Sequence, residues 1–317
     1  MARFQNILYV TEEAVDQGQA LEHVVSFATR SRSKLTVLDV TQPVVETREE
    51  AVAYRMATLE NLTSPFRDRL SVHTDVRTGT TFLEVIRAVL RIGHDLVVKP
   101  AENPAFLQRV FGSTDMHLLR KCPCPVWMMK PGETRGYNCI LAAVDFDPLN
   151  QQPSEALNLQ ILEHAVSLAL TDSASLHLIH AWEPLAERTL RMRGGIPAEG
   201  IARHVSKERA LHRAGLNMLS RAIRDRIGMN VYDRLTVRVH LPKGSAKTKI
   251  PTLAMGLSAN LVVMGTVART GIPGLIIGNT AEAILNQLTC SVPGNLDLLI
   301  PDSMGSTSFC ATHQQQL

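Results

Sequence analysis

The chain has 317 residues, enough for about two ordinary domains, with 45% hydrophobic residues to fill their cores and a net charge of only +3. That balance gives no electrostatic reason to expect nucleic acid or an anionic membrane as a partner, and no apolar run approaches the length of a membrane span. The opening MARFQNILYV enters a strand pattern without the apolar core of a signal peptide, and five cysteines form an odd, sparse set, so the expected location is the cytoplasm.

In chain order, NILYVTEE (6–13) begins a strand, and EHVVSFATRSRSKLTVLDVTQP (22–43) reads as a helix leading into a second strand. VHTDVRTGTTFLEVIRAV, DLVVK and FGSTDMHLLRKC continue the alternation, and CPVWMMKP closes it as a last strand. The linker KPGETRGYN (130–138) follows, with Pro131, Gly132 and Gly136 breaking regular structure. The pattern then repeats. CILAAVDF (139–146) lies over the first strand, EHAVSLALTDSASLHLIHAWEP (163–184) over the first helix and second strand, and VRVHLPKGSAKTKIPTLA, NLVVMG and IGNTAEAILNQLTC over the remainder. Self-similarity over half a chain means two copies of one domain.

In the second copy, strands are expected at 138–145, 175–182, 234–242 and 260–265, and helices at 155–171, 201–228, 245–258 and 278–289. ILAAV and NLVVMG are unbroken apolar runs, as in strands covered on both faces. SKERALHRAGLNMLSRAI carries apolar residues at three- and four-residue spacing, which marks an amphipathic helix. Strand–helix–strand alternation implies parallel sheets with right-handed crossovers. The expected fold class is therefore α/β, with two tandem doubly wound parallel-sheet domains at 1–131 and 137–302. The two sheets should face each other about a pseudo-two-fold axis, since tandem copies satisfy internally the pairing that separate subunits obtain by dimerising. Residues 303–317 read as a disordered tail, and Pro293 and Gly294 interrupt the strand expected before it.

Ligands of open parallel sheets bind beyond the carboxyl ends of the strands. In the second copy that edge carries Asp145, the His180-Ala181-Trp182 strand end, and MGTVARTGIPGLIIGNTAE (264–282), a glycine-rich loop running into a helix. Such a loop can cradle phosphate, or its glycines can serve only as turn residues. His177 and His180, with His240, raise the question of a metal. Residues three apart on a strand point to opposite faces, however, so buried or hydrogen-bonded histidines are expected instead. Cys122-Pro123-Cys124 lacks the two-residue spacing of a redox pair or zinc knuckle and reads as small buried residues.

Both copies resemble universal stress protein domains, and the whole chain resembles the tandem class of that family, over about residues 4–130 and 137–292. The carrying features are ILAAVDF with its terminal Asp145, then Gly265, Arg269-Thr270-Gly271 and Gly278-Asn279. The family's signature is Gly, two residues, Gly, nine residues, Gly, then Ser or Thr. The resemblance implies a five-stranded α/β domain and, in the nucleotide-binding branch, ATP, with Mg2+ only as the ion the nucleotide brings. It places Asp145 by the adenosine, Ala181 by the adenine, Met264 and Gly265 around ribose and phosphates, Ala268 and Arg269 in the loop, and Gly278, Asn279 and Thr280 on phosphate. Ala268 departs from the second signature glycine and Asn279 from the hydroxyl residue. In the first copy the first two signature glycines read Lys99 and Glu102, and Glu12 replaces the strand-end Asp. That copy is expected to have lost its phosphate loop and to serve as a packing partner.

The expected function is a cytoplasmic stress-resistance regulator that binds a nucleotide through its second domain. The alternative is a protein for a different small ligand, or a scaffold acting through protein partners. No nucleophile–base pair, metal set or Walker-type lysine argues for an enzyme beyond slow ATP hydrolysis.

Overall fold

The computed structural model describes residues 4–13, 15–42, 48–102, 113–130, 136–148, 152–184, 187, 192, 197–266, 277–288 and 290–294. The first half runs β1 (Asn6–Val10), α1 (Gln17–Ser31), β2 (Lys34–Thr41), α2 (Arg48–Thr63), β3 (Val72–Thr78), α3 (Thr81–Ile92), β4 (Leu96–Pro100), α4 (Ser113–Lys121) and β5 (Val126–Met129). The second runs β6 (Cys139–Ala143), α5 (Gln152–Asp172), β7 (Ser175–Ile179), α6 (Ala198–Ile227), β8 (Val237–His240), α7 (Ala246–Gly256), β9 (Leu261–Met264), α8 (Asn279–Leu285) and β10 (Val292–Gly294).

Local chemistry sets these elements. Asp16 caps α1 by accepting the Gly18 N–H at 3.0 Å, and Arg32 ends the helix in the left-handed region at φ 57°. β1, β5 and β9 are apolar and buried along nearly their whole length, as strands covered on both faces must be. The strand order is β3-β2-β1-β4-β5 in the first half and β8-β7-β6-β9 in the second. All pairs within each half are parallel.

β10 joins the halves. It runs antiparallel to β5, with Val292 opposite Met128, Pro293 opposite Trp127 and Gly294 opposite Val126. On its other side, Ser291 bridges to Leu261 beside β9, and Val262 donates its N–H to the Ser291 carbonyl at 3.0 Å. The expectation that the sheets face each other is thus corrected: they meet edge to edge. Helices cover both faces of each sheet, so the last strand of each half offers the edge for pairing. The interruption expected at Pro293 is corrected too. Pro293 removes one ladder donor, but the register holds through its neighbours Val292 and Gly294.

Matched contacts flank this seam. Phe4 stacks on His164 at 4.8 Å, and Tyr137, the counterpart of Phe4, meets His23, the counterpart of His164, at 5.0 Å. His23 Nε2 lies 3.0 Å from Asp172 Oδ2, which also accepts the Tyr137 N–H at 2.8 Å. Arg120 of α4 pairs with Glu282 of α8 at 2.6 Å. Two apolar cores lie on opposite sides of the sheets, and each contains residues of both halves. No helix among the described residues is long and apolar enough to cross a membrane.

Candidate ligand cavity

The order in which strands are added reverses across the second sheet at β6, which has β7 on one side and β9 on the other. Crevices at such switch points are where open α/β sheets bind ligands. β6 leads to Asp145, β7 leads to Ala181, β9 ends at Met264 with Gly265 just after it, and α8 starts just after Gly278. These four segments surround a cavity of about 400 Å³. Its lining includes Asp145, Ala181, Met264, Gly265, Gly278, Asn279 and Thr280, seven of the nine positions singled out in the sequence. Ala268 and Arg269 lie outside the described residues.

The cavity has an apolar floor and a polar rim. Ala143, Leu157, Ile161, Ile250, Met264 and Ile284 line it from the strands and helices beneath, while Asp145, Asn279 and Thr280 are exposed at its mouth. Small residues keep it open. A Cβ on Gly265 would stand 3.2 Å from Leu157 Cδ2, closer than ordinary contact. Gly278 spends its own N–H on the Thr266 carbonyl at 2.9 Å, which fixes the approach to α8. Donors for a ligand at that corner are therefore the first-turn N–H groups of α8 and the side chains of Asn279 and Thr280.

Asn158 was not legible as a site residue. Its buried amide clamps the backbone of Asp145 from both sides: Asn158 Oδ1 accepts the Asp145 N–H at 3.0 Å, and Nδ2 donates to the Asp145 carbonyl at 3.0 Å. Gln17, at the matching place on α1, does similar work. It donates to the Glu12 carbonyl and to the Val15 carbonyl, and Tyr9 donates to its Oε1 at 2.8 Å. A helix-borne amide thus orients the strand-end acidic residue in both halves. The only sequence signal is an amide at equivalent helix positions.

The histidines separate as their spacing requires. His177 Nδ1 lies 2.9 Å from His240 Nε2, whereas His180 Nε2 lies 2.8 Å from His212 Nδ1 on α6. His180 also stacks on Phe146 at 4.0 Å and directs Nδ1 toward the Val144 carbonyl at 3.3 Å. Burial holds His177, His240 and His212 below the ordinary histidine range. Among the described residues no three His, Cys, Asp or Glu side chains are grouped to hold a metal ion.

The matching place in the first half is filled by the protein itself. The strand registers correct the sequence alignment by one residue: Lys99 stands where the second half has Met264, and Pro100 where it has Gly265. The Lys99 side chain is 0% exposed. Its ammonium donates to Glu12 Oε2 at 2.7 Å, to Asp115 Oδ1 at 2.9 Å and to the Pro100 carbonyl at 3.0 Å. Burial alone would lower its pKa, but the Asp115 and Glu12 carboxylates outweigh burial and hold it above the ordinary lysine value. Asp115 Oδ2 accepts the Glu102 N–H at 2.7 Å, and Glu102 Oε2 in turn accepts the Thr114 N–H at 3.3 Å, at the start of α4. A carboxylate therefore occupies the helix start where a ligand anion would otherwise sit.

An α/β domain with this strand order, repeated and joined through its last strand, defines a tandem α/β protein, here with an open strand-end cavity in its second half. The model of the Universal stress protein family matches residues 3–130 and 136–292, so the chain belongs to that family. It is 30% identical over 310 residues to Universal stress protein E of Escherichia coli (strain K12), covering 92% of this chain and 94% of that protein. A crystal structure of a functionally unknown protein, PA1789 from Pseudomonas aeruginosa PAO1, is 28% identical with a TM-score of 0.70 over 92% of each chain. Universal stress protein A homolog 1 of Coxiella burnetii is 28% identical over 158 residues, covering 94% of that protein but 49% of this chain. A relative of one-domain length thus matches half of this molecule.

Proposed function

We propose that this universal stress protein acts in the cytoplasm as a stress-resistance regulator that binds one adenine nucleotide, ATP, in its second half. The carrying observation is the contrast between the halves: an open cavity beside Gly265 and its counterpart closed by Lys99. The apolar floor suits the faces of a base and ribose, and the rim of Asp145, Asn279 and Thr280 suits hydroxyl and phosphate oxygens. Any Mg2+ would arrive with the nucleotide. The first half serves as a packing partner across the β5–β10 seam.

Calorimetric titration with ATP tests this reading. One site per chain is expected. Gly278→Asp, which sets a carboxylate against the phosphates, should abolish binding, and Gly112→Asp should leave it nearly unchanged. Two sites per chain, or equal losses from both substitutions, would contradict the reading. A second reading, a different small ligand or a protein partner, is favoured by Ala268 and Asn279, which depart from the nucleotide signature. Absence of ATP binding, with another molecule retained by the purified chain in mass spectrometry, would establish it.

A further inference from the structure

Outside the cavity, two thiols are brought together at the turn between α4 and β5. Cys122 donates its N–H to the Leu118 carbonyl at 2.9 Å and so ends α4. The chain then turns at the exposed Pro123, and both flanking side chains fold inward. Cys122 Sγ and Cys124 Sγ lie 3.7 Å apart, with the residues 2% and 7% exposed. A disulfide needs Cα atoms roughly 4.4–6.8 Å apart, and residues two apart along a chain cannot exceed about 7 Å. The backbone thus already holds the thiols within reach of a bond.

The pair is also chemically unequal. A hydrogen bond from the Cys124 thiol lowers the pKa of Cys122, and the same contact together with burial raises that of Cys124. Cys122 is therefore the sulfur that loses its proton first, and the thiolate is the nucleophile. The second half provides an internal comparison. Leu288 stands at the position of Cys122 and Cys290 at that of Cys124, so a thiol pair exists at this turn only in the first half.

We propose that Cys122 and Cys124 form a reversible disulfide, with a hydroperoxide as oxidant. The Cys122 thiolate attacks the terminal peroxide oxygen and the O–O bond breaks. Cys122 becomes a sulfenic acid, and the departing alkoxide or hydroxide takes up a proton. Cys124 then gives up its proton and attacks the Cys122 sulfur, the S–S bond forms, and the sulfenic oxygen leaves as water. In sum two thiols are oxidised, and one hydroperoxide is reduced to an alcohol or water plus a second water. A bridge closed over one intervening residue forms a small, constrained ring, the type of disulfide that thiol reductants open readily. It ties the end of α4, which carries Asp115 to Lys99 and Arg120 to Glu282, to the start of β5 at the seam.

The test uses the full reduced chain and one equivalent of hydrogen peroxide. Two thiols per chain should be lost, with the mass of two hydrogens missing from the peptide that holds Cys122 and Cys124, and dithiothreitol should restore both. In Cys124→Ser, oxidation should stop at a Cys122 sulfenic acid that dimedone traps. The inference is overturned if that peptide remains a dithiol while Cys139, Cys290 or Cys310 is oxidised, if the bridge forms between chains, or if the pair reacts only after the chain is unfolded. The primary readout is on the unaltered protein, so it does not depend on how a variant folds.

Discussion

Pro293 lies directly opposite Trp127 in the antiparallel pair that joins the halves. In the alignment of the two copies these residues occupy the same position. Val292 and Val126 are likewise counterparts, as are Gly294 and Met128, and each pairs with the counterpart of the other. The local two-fold relation therefore passes between Trp127 and Pro293. The symmetry is kept by the backbone although the side chains have diverged from tryptophan to proline.

Lys99→Met should be severely destabilising. It leaves the wholly buried Asp115 carboxylate and Glu12 without their shared cation, and breaking a buried pair from one side costs about 3–5 kcal/mol. Adding Asp115→Asn and Glu12→Gln should recover much of that loss in urea denaturation. The raised Lys99 pKa also sets an alkaline limit. Its stabilisation is complete below the unfolded value of about 10.4 and is lost as pH rises through the folded one. The unaltered chain should show this step and the Met variant should lack it. Equal alkaline profiles would separate Lys99 from the stability of the first half.

His164 sets an acid limit. Its ring stacks on Phe4 across the seam, and burial brings its pKa down to about 4. A histidine held neutral in the folded state contributes stability above its unfolded value of about 6.5. That contribution is lost as pH falls toward about 4. His164→Phe keeps an aromatic face against Phe4 and should flatten this loss between neutral pH and the acid range. A ring resonance titrating in the ordinary histidine range would contradict the assignment.

Gly215→Ala should be destabilising even though alanine favours helices. A Cβ at this position in α6 would run into the edge of the Phe146 ring. Overpacking costs about 1–3 kcal/mol against a helical gain of about 0.5–1 kcal/mol, so the clash wins. Phe146→Leu in the same chain should relieve it. Thermal unfolding of the single and double variants decides the matter, and a stabilised single variant would show that α6 moves freely off Phe146.

Asp172→Ala should weaken the seam more than Asp172→Asn. Alanine removes the acceptor of the Tyr137 N–H and the partner of His23 together, and an unsatisfied buried group costs about 1–3 kcal/mol. Asparagine retains a carbonyl oxygen for the Tyr137 N–H. Because Trp127 Nε1 donates to Tyr137 Oη at 2.9 Å, tryptophan fluorescence should report the disturbance. Indistinguishable variants would mean that the apolar cores alone hold the seam.

The repeat, the alternation of elements and the convergence of Asp145, Gly265 and Gly278 were legible because each is local: a period, an apolar run, a glycine after a strand. The closure of the first half was legible only as a loss, as glycines missing around Lys99 and Glu102, and the alignment set Lys99 one residue out of register, against Gly265 instead of Met264. Its positive content, an ammonium shared by Glu12 and Asp115, depends on three segments far apart in the chain. Asn158 and Gln17 were not legible, because helical periodicity says which face is buried and not which amide turns back to a strand-end loop. His212 was not legible for a similar reason, since only the path of α6 brings it to His180. The edge-to-edge seam is not legible in the sequence, because a strand pattern does not reveal whether its edge or its face is covered.

Covalent joining of the two halves changes what a single substitution does. In a symmetric pair of separate chains every replacement is made twice, so a lysine at the end of the fourth strand would close both cavities at once. Here the change is made once, at Lys99, while its counterpart Met264 still lines an open cavity. The linker thereby frees each half to be altered independently, and one crevice has been given up to internal charge while its twin remains accessible from solvent.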